Sequence, residues 1–257
     1  MPVPVGAGGR RFRGRSGTAS RRAPGAAIEP GETPADPPGI GVAARSADAF
    51  TQSIGLNLHI SYFQSPYGTG WETIVKPRLL ALGVRHVRDA GAVSSNDGWM
   101  QTVYGRMNEL AASGIRFNLV LKPAEGSTSY SSATHIDRLL QYARPAVESF
   151  EGLNEHDLSG RSAWATEVRT FQQAIWSKLK GNSSTAGLPI FGPSLGNPGN
   201  APSMGDLSGY LEYGALHPYP GGLRPLEAIA THVTYGTRVS GSRPMVITES
   251  GYHTATL

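Results

Sequence analysis

Two short segments carry glutamates where chemistry is to be expected: Gly152-Leu153-Asn154-Glu155-His156 and Ile247-Thr248-Glu249-Ser250-Gly251. In each, the acid follows an apolar β-rich run and precedes a turn, so the carboxyl group stands at the end of a strand. Two carboxyl groups roughly 5 Å apart can divide the work at an acetal carbon. One protonates the departing oxygen while the other attacks the carbon, and the first then activates water. The attacking group must stay charged, which a guanidinium or a phenol hydroxyl beside it favours. The donor must hold its proton, which the charge of the attacking group favours.

Bringing these glutamates together is the task of the elements between them. From residue 53, short β-rich runs alternate with longer amphipathic stretches, the pattern of βα units on a parallel sheet. The runs predict strands over 54–61, 84–89, 115–122, 147–154, 188–193, 215–219 and 244–249. Between them the apolar spacing predicts helices over 71–82, 97–113, 132–143, 162–180, 204–213 and 226–237, several stopped by a glycine such as Gly83, Gly114 or Gly181. Seven such repeats, with no switch in composition between two halves, predict an α/β chain: a (β/α)8 TIM barrel lacking the eighth βα unit. The catalytic domain so read is 49–257, incomplete at its C-terminal end.

In such a barrel the reactive groups sit at the C-terminal strand ends. Those positions hold Asn57, His59 and Tyr62, then Arg88 and Asp89, Lys122, Asn154 with Glu155 and His156, Ser194, His217 with Tyr219, and finally Glu249 with Tyr252. Strands four and seven face each other across an eight-stranded ring, which lets Glu155 and Glu249 meet. Loop aromatics Tyr62, Phe63, Trp99 and Tyr252 offer flat apolar area on which a sugar face stacks. Glu151 shares a strand face with Glu155 but lies about 13 Å deeper at roughly 3.3 Å per residue, and is read as structural.

With Asn-Glu ending strand four and Glu ending strand seven, residues 53–255 resemble the large clan of retaining (β/α)8 glycoside hydrolases that includes cellulase-like and β-xylosidase-like enzymes. The resemblance implies hydrolysis of a β-linked oligo- or polysaccharide by double displacement. It implies Glu155 as general acid/base, Asn154 as donor to the sugar 2-hydroxyl and Glu249 as nucleophile. Arg88 is then the cation that keeps the nucleophile ionised, and Tyr219 its hydroxyl partner. His217 and His156 become polar lining near the cleft, and beside what the resemblance implies, the strand-end His59 and the loop aromatics Trp99 and Tyr252 are expected to bind substrate. The clan's aromatic platform on strand eight has no counterpart here.

Composition narrows the alternatives. Cys 0 excludes a disulfide framework, a cysteine-ligated zinc and thiol catalysis. A metal-dependent barrel enzyme, sugar isomerase-like, is a rival, with Glu155, Asp89, His217 and Glu249 as ligands; against it, the seven histidines form neither His-x-His nor His-Glu-x-x-His. Neither a metal nor a cofactor is expected. A non-catalytic glycan-binding barrel is the other rival. Apolar runs are far shorter than the roughly 20 residues that cross a bilayer. The net charge of +4 gathers in residues 1–48, with seven Arg against four acids, leaving a nearly neutral body. That segment, rich in Gly, Pro and Arg, reads as a disordered tail, and the neutral body argues against nucleic acid as a partner. The resemblance implies an extracellular setting, although no apolar stretch of about 7–15 residues follows the arginines as a secretory signal requires.

Overall fold

A computed structural model describes residues 46–252 apart from residue 128, and the fold is stated for those residues. Most of the tail expected over 1–48 lies outside them. Ser46, Ala47 and Asp48, assigned to that tail, instead open helix α1 (Ala47–Gln52), where the Ser46 hydroxyl accepts the Ala49 N–H as a helix cap.

Strand and helix then alternate. β1 (Gly55–Asn57) leads through α2 (Pro66–Thr69) and a π-helical turn, Trp71–Val75, into α3 (Lys76–Leu82), which Gly83 ends at φ 65°. β2 (His86–Ala90), α4 (Asp97–Ala112), β3 (Arg116–Val120), α5 (Ile136–Ala143), β4 (Val147–Glu151) and α6 (Trp164–Lys180) follow. The chain continues as β5 (Ile190–Phe191), α7 (Ala201–Met204), β6 (Gly214–Leu216), α8 (Pro225–Ser240) and β7 (Met245–Ile247).

All paired strands are parallel: β1 to β5 form one sheet in chain order, and β6 pairs with β7. A bridge between Phe191 and Tyr213, with Gly192 N–H donating to the Tyr213 carbonyl, joins the two groups into one series. The ends of that series meet, since Asn57 Nδ2 donates to the Thr248 carbonyl at 3.0 Å. Seven strands spaced about 4.8 Å apart in a flat sheet would put the outer two about 29 Å apart, so the sheet is curled. This is an α/β fold. A cavity of about 530 Å³ is bordered by residues from across the curled sheet, among them Leu56, Val87, Asn118, Ser149, Phe191 and Val246.

Helices pack on the sheet through one apolar core. Val87, Phe117, Leu119, Phe150 and Ile190 on the strands, with Met107, Ile136, Phe171 and Ile175 on the helices, are all buried. The other face carries a polar row: Asn57, Arg88, Asn118 and Ser149 are in register across four neighbouring strands. A parallel strand buried on both faces usually reads as continuously apolar, so this row marks where the sheet holds charge.

Two expected elements come out differently. The stretch 204–213 has apolar residues at helical spacing, and Met204, Leu207 and Leu211 are indeed buried. Gly205, at φ 75° and ψ −175°, breaks the helix, leaving α7 and a 3-10 turn, Ser208–Tyr210. The first strand, expected over 54–61, pairs through β1 and one further bond, Leu58 N–H to the Arg88 carbonyl at 2.9 Å, beyond which the Ile60 N–H turns aside to Asp89 Oδ2 at 2.9 Å. No described helix is long and apolar enough to cross a membrane.

The strand that carries the first glutamate is tightly backed. A Cβ built on Gly152 would stand 2.2 Å from Gln172 Oε1 and 2.9 Å from the Pro193 nitrogen. Gln172 is itself held, its amide donating to the Tyr210 carbonyl at 2.9 Å. Gly152→Ala is expected to lower stability by about 1–3 kcal/mol, the range of an overpacked core. Urea unfolding reads the difference, and an unchanged midpoint would show that Gln172 yields freely.

Candidate active site

The site is assembled around Arg88, whose side chain is only 11% exposed. Its Nε donates to Glu151 Oε2 at 2.8 Å and its Nη2 to Glu151 Oε1 at 2.9 Å. Nη2 also donates to Asn154 Oδ1 at 2.7 Å, while Nη1 reaches Glu249 Oε1 and, at 3.2 Å, Asn57 Oδ1. All five guanidinium N–H groups therefore have acceptors. Burial alone would push the Arg88 pKa down, but Glu151 and Glu249 carry it above the ordinary value.

Glu151, with a fully buried side chain, is the base of the assembly. Besides Arg88 it accepts Asn118 Nδ2 at 2.8 Å and the Thr248 hydroxyl at 3.3 Å. Glu151 lies deep, as its strand position implies, and the long guanidinium spans that depth, so it is linked to Glu249 and Asn154 through one side chain.

Glu249 follows β7, its carboxylate between Arg88 and Tyr219, whose hydroxyl donates to Oε2 at 2.8 Å. Burial pushes its pKa up. The charges of His217 and Arg88 and the Tyr219 hydroxyl outweigh that and hold Glu249 below the usual carboxylate value. Tyr219 is pushed up to about 12, by burial first and then by Glu249.

Glu155 follows β4, earlier in the chain than Glu249, and its carboxylate comes close to that of Glu249. It is the one described non-glycine residue at positive φ, with φ 44° and ψ 38°. For a glutamate this costs on the order of 1–3 kcal/mol, and such strain gathers at functional positions. Its Oε1 lies 2.8 Å from His217 Nδ1, and its N–H donates to Ser194 Oγ at 3.3 Å. One atom each from Glu155, His217 and Glu249 lie within 4.8 Å of one another.

Arg88, Asn154, Tyr219 and Glu249 line a cleft of about 480 Å³, and Glu155 stands next to Asn154 and His156 of that lining without being part of it. His59 and Tyr62 form one wall, their rings stacked at 4.7 Å and 9°. His156 and Tyr130 form part of another, His156 being tied to Glu167 at 2.7 Å. Since Asn154 Oδ1 accepts from Arg88, its amide N–H groups are left to donate elsewhere.

Three expected substrate-binding residues lie away from that cleft. The His217 side chain is fully buried beneath the carboxylates. Trp99 sits in the first turn of α4, its side chain partly buried against the core and its backbone N–H donating to Asn96 Oδ1 at 3.0 Å. Tyr252 is exposed, its hydroxyl donating to the Leu223 carbonyl at 3.1 Å. Sequence reading also passed over Asn118 and Thr248; their signal was a polar side chain inside an otherwise apolar strand.

No protein-family model matches the chain, and no curated protein matches it. Among solved structures, ScGas2 in complex with compound 8 is similar at 17% identity and a TM-score of 0.43, over 79% of this chain and 49% of that one. The chain thus spans about half the length of ScGas2. D-psicose 3-epimerase with D-tagatose, from Clostridium cellulolyticum H10, is similar at 13% identity and a TM-score of 0.34, over 77% of this chain and 85% of that one. At such scores neither likeness bears on what this chain does.

Asp89 closes the cleft floor. It is 4% exposed, accepts the N–H groups of Ile60 and Ala90, and burial raises its pKa from the carboxylate range to about 7. A carboxyl group whose folded pKa is raised stabilises the fold at low pH, and that contribution is lost as pH climbs from about 4 to about 7. The difference in unfolding free energy between the native chain and Asp89→Asn is therefore expected to change across that window and to flatten above it. Denaturant titrations at a series of pH values measure it; a constant difference from pH 4 to 8 contradicts the assignment.

Proposed function

We propose that this chain is a retaining glycoside hydrolase acting on a β-linked oligo- or polysaccharide, built on a (β/α)8 barrel of which seven strands are described. The single observation that carries the reading is the approach of a Glu155 oxygen and a Glu249 oxygen to within 4.8 Å, Glu249 lining an open cleft. Retaining glycosidases hold their two carboxyl groups about 5–5.5 Å apart, whereas inverting enzymes need about 6.5–9.5 Å for an intervening water.

The steps follow from the charges. Glu249, kept ionised by Arg88 and Tyr219, attacks the anomeric carbon. The bond to the leaving oxygen breaks with its electron pair, and Glu155 gives that oxygen its proton. In the second half Glu155 takes a proton from water, the water oxygen bonds to the anomeric carbon, and the ester bond to Glu249 breaks. Asn154 donates to the 2-hydroxyl, and the His59–Tyr62 wall offers a flat face for a sugar ring.

A divalent ion at Glu155, His217 and Glu249 is the competing reading, favoured by their convergence. Electrostatics oppose it. The Arg88 guanidinium already neutralises Glu249, and both His217 ring nitrogens are engaged by Glu155 and Thr248. Hydrolysis that is insensitive to EDTA is expected, and loss of activity with the chelator, restored by a divalent ion, would overturn the hydrolytic assignment.

Division of labour is tested by leaving groups. Glu155→Ala is expected to lose about 10²–10⁴-fold on unactivated glycosides and far less on nitrophenyl glycosides, which leave without an acid; equal losses on both contradict the roles. Tyr219→Phe removes a donor from Glu249, so the acidic limb of the kcat/KM profile is expected to move to higher pH. An unmoved limb would show that Tyr219 does not help hold the charge.

A further inference from the structure

The histidine beneath the two carboxylates has a determinable tautomer, and that fixes where a proton is kept. Glu151 accepts two Arg88 N–H groups and one from Asn118, so as a carboxylate it can only accept from Thr248 as well. The Thr248 hydroxyl therefore donates its one hydrogen to Glu151 Oε1. Its oxygen is left to accept from His217 Nε2 at 3.1 Å. A neutral His217 with its hydrogen on Nε2 has a bare Nδ1, and that nitrogen faces Glu155 Oε1 at 2.8 Å. Two bare acceptors do not stand at that distance, so one proton lies between them.

We propose that His217 is a positioning residue that keeps the acid proton on a shared Glu155–His217 pair. The inference rests on the glycosidase reading for its catalytic meaning, though not for the chemistry of the pair. The groups facing His217 agree with it. From β4 and β7 come Glu151, 4.0 Å from Nε2, and Glu249, 3.8 Å from it. From β2 comes Arg88, bound to both. From α8 comes His232, whose charge is disfavoured by burial and by His217. With Arg88 cationic and Glu151 and Glu249 anionic, the surroundings carry one net negative charge, which retains a proton on the pair. When Glu249 becomes an ester, that excess disappears. The pair then releases its proton to the leaving oxygen and is left able to take one from water.

His217 is buried and its ring is fully bonded, so it does not reach substrate and acts through Glu155. Two measurements test this on the full chain. The ring ¹⁵N shifts of His217 are expected to report hydrogen on Nε2 at every pH, with Nδ1 alone changing its protonation as the pair titrates. Hydrogen on Nδ1 with a bare Nε2 would overturn the proposal, whether or not the protein hydrolyses any glycoside. In the pH profile, His217→Gln is expected to move the basic limb of kcat/KM to lower pH and leave the acidic limb in place. Thr248→Val, close in shape, removes the acceptor of the Nε2 hydrogen together with the hydroxyl that donates to Glu151, leaves the Glu155–His217 contact in place, and should move the basic limb in the same direction by less. An unmoved basic limb in both variants would overturn it. Tautomer and titration as expected with no turnover on any glycoside would instead remove the hydrolase reading and leave the proton-sharing pair standing.

Discussion

A buried guanidinium tolerates no unmatched N–H, and the arrangement around Arg88 follows from that requirement. Its five donors need five acceptor positions in one plane, and they are supplied by Glu151, Glu249, Asn154 and Asn57. Each comes from a different strand or strand end, except that Glu151 and Asn154 share β4 and its exit. The ion pair is thus a gauge on the curl of the sheet: β1, β2, β4 and β7 must converge for the set to be complete. Replacing such a buried pair by apolar residues is commonly neutral or stabilising, so its contribution is best understood as geometry and not as stability.

The same charges separate the two glutamates into unlike groups. Glu249 touches the cation and a phenol hydroxyl and is held ionised. Glu155 touches no cation of fixed charge and shares its environment with a histidine, on a backbone in the left-handed region that few glutamates occupy. Packing sustains that strain from behind, through Gln172 against Gly152 and Ser194 against the Glu155 N–H. Sequence, fold and chemistry meet in one short segment, where an apolar strand ends, turns sharply and presents an amide and an acid together.

Much of this was legible in the residues. The alternation of apolar runs with glycine-stopped amphipathic stretches gave the βα order, because parallel strands and their helices are buried over many residues and leave a periodic trace. The two glutamates were legible because each closes such a run. Arg88, Asn154 and Tyr219 were legible as strand-end polar groups, and they meet the glutamates in the fold. Glu151 is as deep as rise per residue places it, and only the reach of an arginine links it to the groups at the mouth. What sequence spacing misjudged was depth and direction elsewhere. Trp99 looked available because an indole on a helix start carries no sign of which way the helix rolls, and His217 looked cleft-facing although the carboxylates cover it. The failed helix over 204–213 had the right apolar spacing and one glycine whose backbone geometry a periodicity cannot sense.

The most direct test of the central claim, that Glu249 attacks carbon, is to trap the intermediate. Incubating the protein with an activated 2-deoxy-2-fluoro glycoside slows release of the glycosyl-enzyme, and mass spectrometry of the digested protein locates the adduct. The account predicts one fluorosugar ester, carried by Glu249. An adduct on Glu155, or steady hydrolysis of ordinary glycosides with no covalent adduct on the protein, would contradict it.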